Sequence, residues 1–311
     1  MYRLFLFASL FITCNADVQM IQRTKVLMGT FVSISVDKED KKLLKPSFEI
    51  IKRVDNSLST YKKNTPIFKL NNSHHAFLNQ YSYEALKLSL KYYKETEGYF
   101  NIAVGTITKD LYRFGANERI AAKSELQKSS TSIEALRFDR HEAFLENGVK
   151  IDLGGMGKGF ATDKVSKFLL QNKVKKAVVA LSGDIRCIGS CKVAVNNPLD
   201  VTHPLVTFIM RDSGVSTSGN YNRYVQRKKY NHLINPKTKE SEQKFISITL
   251  VSKLPSATLD AYATAASVMP VKKSYAFLNA KNLAYIILQA DKKLIISKNI
   301  DDYVDLLHNP G

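Results

Sequence analysis

Four segments of this sequence gather residue types suited to binding a ligand. In "IDLGGMGKGFATD" (151–163), four glycines and Lys158 stand between Asp152 and Asp163. Glycines let a backbone approach a ligand closely, and a helix N-terminus offers free N–H groups to a phosphate. A Walker-type loop needs Gly-x4-Gly-Lys followed by Ser or Thr. Here Asp152 stands where the first glycine belongs and Gly159 follows the lysine, so a triphosphate hydrolase is disfavoured. The glycine spacing also fails the dinucleotide-fold fingerprint. Asp152 would repel a phosphate, so it is better suited to hydrogen-bonding another part of a ligand while Lys158 takes the anion. A purely structural glycine turn explains the segment equally well. In "SATLDAYATAASVM" (256–269), Asp260 and Thr264 are four apart and share one helical face among alanines. Carboxylate plus hydroxyl is a hard-oxygen pair suited to magnesium, and the rival reading is an acid complementing a helix dipole. In "STSGNYNRYVQRKKYNHLINPKT" (216–238 and Lys239), His232 precedes an Asn235-Pro236 turn, and in "ETEGYFNIAVGTI" Tyr99 and Phe100 follow a helix stop. Those aromatics either flank a planar ring or plug the core.

These residues need elements to hold them. "TKVLMGTFVSISVD" (24–37) is β-branched and partly alternating, predicting an early strand. "PSFEIIKRVDNSLS" puts Phe48, Ile51, Val54 and Leu58 on a helical stripe, and "YSYEALKLSLKYYKETEG" is a second amphipathic helix stopped by Gly98. Polar "ANERIAAKSELQKSS" (116–130) reads as a surface insertion or linker. "EAFLENGVKID" reads as two strand arms around Asn147-Gly148, delivering Asp152 to a strand end. The helix "GKGFATDKVSKFLLQN" then follows the glycine turn, and Ser256 or Thr258 is the expected cap of a helix beginning near Asp260. Further strands are expected at Ala177–Leu181, Leu205–Met210 and Ile246–Ser252, with a hairpin in "LAYIILQADKKLIIS". Hairpins mixed with helices, without a regular βαβ rhythm, argue for an α+β fold.

The 311 residues, 44% hydrophobic and 24% charged, are ordinary for a folded chain, whereas 46 Lys+Arg against 28 Asp+Glu give a formal charge of +18. The lysines are scattered in pairs without a nucleic-acid motif, so a lysine-rich surface is preferred to nucleic-acid binding. "MYRLFLFASLFITCNAD" has a basic start, an apolar run and small or polar residues after it, the pattern of an export signal over residues 1–16. Cleavage after Ala16 and lipidation at Cys14 are the two outcomes weighed, leaving a single domain over 17–311. No later stretch is long and apolar enough for a membrane span. Cys187 and Cys191 flank Gly189 in "RCIGSCKV". A small disulfide and two reduced cysteines on adjoining strands are both open.

Taken in order, "LMGT", "DNSLSTY", "EGYFNIAVG", "IDLGGMGKGFATD", "LSGDIRCIG", "STSGNYNRY", "HLINPKT" and "ATLDAYATAASVM" resemble one family, the FAD:protein FMN transferases (ApbE family). The resemblance implies an exported, magnesium-dependent protein with a T-fold-like α+β core of mixed antiparallel sheets and flanking helices, holding FAD as substrate. It implies that Met28, Tyr61, Tyr99, Phe100, Asn101, Asp152, Lys158 and Ile234 contact FAD. Asp260, Thr264 and the backbone oxygen of Gly155 would hold Mg2+. The implied reaction moves FMN from FAD to a Thr or Ser hydroxyl of an exported acceptor, such as a subunit of a membrane redox complex, and releases AMP. His232 is the candidate base. FAD hydrolysis to FMN and AMP, and non-catalytic FAD binding, are the alternatives. The location implied is periplasm or cell envelope, with lipid anchoring if Cys14 is the modified residue. This chain departs from the family pattern at Asn101 and Asn235, where Asp is usual, and at Lys239, where glycine is common.

Overall fold

The strand Ala177–Leu181 shows how the molecule is layered. Ala177, Val179 and Leu181 pack into one apolar cluster, whereas Val178 and Ala180 pack into another on the opposite face. Side chains alternate across a strand, so a segment apolar at every position must be covered on both sides. In the computed structural model, which describes residues 20–308, this strand lies within an eight-stranded sheet. The order is Met20–Leu27, Thr30–Asp37, Ala177–Leu181, Asp184–Ile188, Gly214–Gly219, Phe245–Ser252, Ala284–Gln289 and Leu294–Ile296. Every neighbouring pair is antiparallel. Spatial order is chain order, so the sheet is a meander, and the long excursions 38–176, 189–213 and 253–283 carry most other elements.

One face is covered by the helices Leu44–Leu58, Gly157–Gln171 and Ser256–Val268, and the helix Gln80–Glu95 packs on the first and last of these. The other carries a three-stranded sheet of Ser190–Val195, Val206–Arg211 and Val304–His308. Cys187, on the main sheet, is disulfide-bonded to Cys191 at the start of this smaller sheet, with Cα atoms 6.1 Å apart. A third small sheet joins His75–Phe77, Glu142–Leu145 and Leu136–Phe138. The α+β reading of the sequence holds. The export signal at 1–16 and Cys14 lie outside the described residues. Among the described residues, no helix is long and apolar enough to cross a membrane.

Four local expectations change. The single early strand is a hairpin, Met20–Leu27 with Thr30–Asp37, because Met28 (φ 52°) and Gly29 (φ 71°) form a left-handed two-residue turn. The turn at Asn147-Gly148 exists, but its second arm pairs with no strand. Instead Asn71 bonds both backbone groups of Ile151, each at 2.8 Å, and Asp152 N donates to Ile102 O at 2.8 Å. The Ser256–Val268 helix is capped by neither Ser256 nor Thr258. Asp163 accepts from the N–H groups of Ser256 (2.7 Å) and Ala257 (2.9 Å) across the helix interface. Finally, segment 116–130 is no linker. It contains the helix Lys123–Lys128, and Ala121 and Leu126 are buried with Ile107, Tyr112, Phe114, Val225 and Ile234.

Candidate active site

The glycine turn works because two helices nearly touch behind it. A Cβ on Gly159 would lie 2.3 Å from Ser256 O, so only glycine permits the Gly157–Gln171 helix to approach the Ser256–Val268 helix this closely. The contact brings Lys158 to Asp260. Lys158 Nζ lies 2.7 Å from Asp184 Oδ2 and 3.4 Å from Asp260 Oδ2, and Gly159 N donates to Asp260 Oδ2 at 3.2 Å. Asp184 Oδ1 accepts from Ser216 on the neighbouring strand at 2.5 Å. Both carboxylates are buried. Burial opposes the lysine's charge, but Asp184 and Asp260 outweigh it and hold the ammonium above the ordinary lysine range. Burial, with Asp184 next, pushes the Asp260 carboxyl upward against the pull of Lys158.

One helical turn further on, Thr264 Oγ1 donates to Gly155 O at 3.2 Å and lies 3.5 Å from Ser218 Oγ. Asp260, Thr264 and the Gly155 carbonyl thus supply carboxylate, hydroxyl and carbonyl oxygens on one side of the site. No group of three or more His, Cys, Asp or Glu able to hold a metal occurs among the described residues. A site here would therefore rest on one acidic ligand and neutral oxygens. That donor chemistry fits magnesium, which binds through one or two carboxylates and completes its shell with water and substrate phosphate.

Asp152 has a different setting. Its Oδ2 accepts from Thr108 Oγ1 at 2.8 Å and pairs with Lys109 at 3.1 Å, and its Oδ1 accepts from Gly154 N at 2.9 Å. Burial alone would raise its carboxyl, but Lys109, Arg223 and these hydrogen bonds hold it down at about 2. Lys109 and Arg223 both donate to the Tyr61 hydroxyl, each at 2.8 Å, and that hydroxyl donates to Phe114 O at 2.7 Å. Lys109 also sits 4.2 Å from the Tyr61 ring centroid, while half of Tyr61 stays exposed.

His232 closes the group. Its Nδ1 lies 3.1 Å from Arg223 O. A carbonyl can only accept, so Nδ1 carries the proton and Nε2 keeps its lone pair. Burial, then the charges of Arg223 and Lys158, lowers this imidazole to about 4, so it is neutral at pH 7.

The remaining sequence candidates divide. Met28 lies beside the glycine turn, its Cε 3.8 Å from where a Gly157 Cβ would stand. Phe100 is buried edge-on to Tyr92 and lines the Gly155 turn. Ile234 lies in the apolar cluster under Tyr61 and Arg223, so its side chain is core. Tyr99 is not drawn into the charged group, and its ring lies 5.7 Å from each of Lys237 and Lys273. Asn101 is committed to backbone, accepting from Ala103 N at 2.9 Å and donating to Thr131 O at 2.8 Å. Asn235 likewise donates to Val268 O at 2.9 Å and accepts from Lys237 N at 2.9 Å. A carboxylate can make neither donation, which gives both asparagines a physical reason in this chain.

Sequence reasoning missed Asp184, Thr108, Lys109 and Arg223. Asp184 had a readable signal, an acid at the turn between the two largely apolar runs of "VVALSGDIRCI". Thr108 and Lys109 had none. They reach Asp152 through a π-helical turn at Thr106–Leu111, in which Tyr112 N donates to Ile107 O at 2.9 Å.

Residues 28–287 match the model of the ApbE family. The chain is 23% identical over 296 residues to a FAD:protein FMN transferase of Klebsiella pneumoniae (strain 342), covering 91% of this chain and 93% of that protein. It is 25% identical over 288 residues to one from Escherichia coli (strain K12), covering 83% and 80%. Among solved structures, the ApbE protein of Thermotoga maritima superposes with a TM-score of 0.84 at 23% identity, covering 92% of this chain and all of that one.

Proposed function

The chain belongs to the ApbE family, and we propose on that premise that it moves the FMN half of FAD onto a Thr or Ser hydroxyl of an acceptor protein, releasing AMP. The observation that carries this reading is the protonation geometry of His232. Nδ1 is fixed on Arg223 O, so Nε2 is the basic atom, and burial, with the cations Arg223 and Lys158, keeps the ring neutral at pH 7. A pKa of about 4 makes Nε2 a weaker base than an ordinary imidazole, but its lone pair is free at pH 7 to take the hydroxyl proton as the O–P bond forms.

The acceptor oxygen attacks the FMN-side phosphorus. One O–P bond forms, the bridging P–O bond breaks, AMP leaves with that electron pair, and His232 Nε2 receives the hydroxyl proton. Lys158 is the pyrophosphate-facing cation, steadied from behind by Asp184. Asp152 anchors Lys109 and the glycine turn, and Tyr61 offers an exposed ring for a planar part of the substrate. Asp260, Thr264 and the Gly155 carbonyl would hold Mg2+, which when bound neutralises pyrophosphate charge. Positioning and electrostatics carry most of such a transfer. The acceptors are read as exported from the leader-like start of the sequence, and as flavoprotein subunits of membrane redox complexes from the family resemblance alone.

The test is incubation with FAD, Mg2+ and candidate acceptors, followed by intact-mass measurement and AMP assay. The expected result is an acceptor heavier by one FMN with equimolar AMP. Free FMN with unmodified acceptor would identify a hydrolase, and FAD retention without AMP would identify a binding protein.

A further inference from the structure

Segment 116–131 is held to the rest of the molecule by ties that no account of flavin chemistry requires. Lys239 Nζ donates to Gln127 O at 2.8 Å and Ser129 O at 2.7 Å, at the C-terminal end of the Lys123–Lys128 helix. Carbonyls there lack intrahelical partners, and a cation suits their negative end. Asn101 holds Thr131 O, and Thr131 Oγ1 donates to Pro236 O at 3.3 Å, in the same turn that carries Lys239. Lys239 itself adopts φ 64°, a left-handed conformation that favours glycine. A long side chain is tolerated in a place where its backbone is strained, and its ammonium is what the molecule uses there.

The segment's inner side leads to the site. Ala121 and Leu126 pack in the cluster that holds Tyr112, Phe114, Val225 and Ile234. The Phe114 carbonyl accepts from Tyr61 (2.7 Å) and from Arg223 (3.1 Å). Arg223 O in turn accepts from His232 Nδ1, and also from His232 N at 3.1 Å. We infer that Lys239 is a positioning residue for the flavin site. By clasping the end of segment 116–131 it keeps that segment seated on Phe114, and so keeps Tyr61, Arg223 and His232 in register. Lys239 touches neither substrate nor reacting atoms. The inference takes the site's use from the flavin-transfer reading, but its mechanical part stands apart from it.

Hydrogen exchange on the full chain tests it. Lys239→Met keeps the stem and removes the ammonium, and Thr131→Val removes a second tie. Losing two charge-assisted hydrogen bonds should speed exchange across 123–131 by roughly tenfold or more. If the clasp positions the site, amides of 223–234 must speed up as well, the FAD dissociation constant must rise several-fold, and Lys239→Arg must restore both. A change confined to 123–131, or no change at all, overturns the inference. So does a loosened site that binds FAD as wild type does. If the wild-type chain itself bound no FAD, the flavin reading would fail, and exchange at 223–234 would still decide whether the clasp reaches the site.

Discussion

Replacing Asp152 by Asn removes a charge that the surroundings are built to keep. The carboxyl stands at about 2 against an ordinary 3.8, and its side chain is only 16% exposed, so solvent screens it weakly. Roughly two units at 1.36 kcal/mol each correspond to about 2.5 kcal/mol of stability at neutral pH. The sign follows from the direction of the shift. A depressed carboxyl binds fewer protons folded than unfolded, so its contribution is complete above 3.8 and fades as pH falls toward 2. At pH 3 about half should remain. Asn keeps the shape and one oxygen, but it leaves Lys109 and Arg223 facing an uncharged group. Urea unfolding of both proteins at pH 7 and pH 3 gives the two differences. The expected gap is about 2–3 kcal/mol at pH 7, narrowing to about half at pH 3. A gap of the same size at both values would mean that packing, not charge, was lost, and the electrostatic account of Asp152 would have to be abandoned.

Asn235→Asp should destabilise the chain by about 2 kcal/mol or more, because a carboxylate would face Val268 O and Glu242 where an amide now donates. An unchanged urea midpoint would remove that explanation of the departure from the family. His232→Ala should retain FAD binding and lose about 10²–10⁴-fold in transfer rate. For the wild type, the acid limb of kcat/KM should fall near 4 rather than near 6.5, since the free imidazole titrates at about 4. A limb centred at 6.5 would assign the proton to another group. Asp260→Asn should leave the fold intact and abolish the magnesium response of AMP release, whereas Thr264→Val should only weaken it; a wild-type magnesium titration in Asp260→Asn would place the metal elsewhere.

Periodicity made the helices and most strands legible, because burial of one face is what the pattern records. Phe48, Ile51, Val54 and Leu58 are buried as their spacing requires, and Ala177–Leu181 is a strand at the expected residues. Hairpin details were less legible. Met28 occupies a left-handed turn position that composition does not advertise in a bulky residue, so two strands read as one. The Asp260–Thr264 face and the glycine turn were visible as local spacings. Their partners were less visible: Asp184 showed only as an acid beside apolar strand residues, and Lys109 and Arg223 meet the site through a π-helical turn and a long excursion of the chain. The trans cap of the Asp260 helix was hidden for the same reason: Asp163 lies 93 residues from Ser256 in the sequence.

That cap has a consequence for how the protein discriminates. Asp163 binds the start of one helix from the body of the other, next to the place where Gly159 leaves no room between them. Lys158 and Asp260 therefore sit on a jaw whose two helices are tied together at this contact, unlike hinged domains that close around a substrate. Selection among nucleotides must fall to the parts that surround this jaw, the Met28 turn, the Tyr61 loop and the stretch from Arg223 to His232. Substitutions there should change which molecule is accepted without moving the jaw, whereas any residue larger than glycine at 159 should pry it apart and lower turnover for every substrate alike.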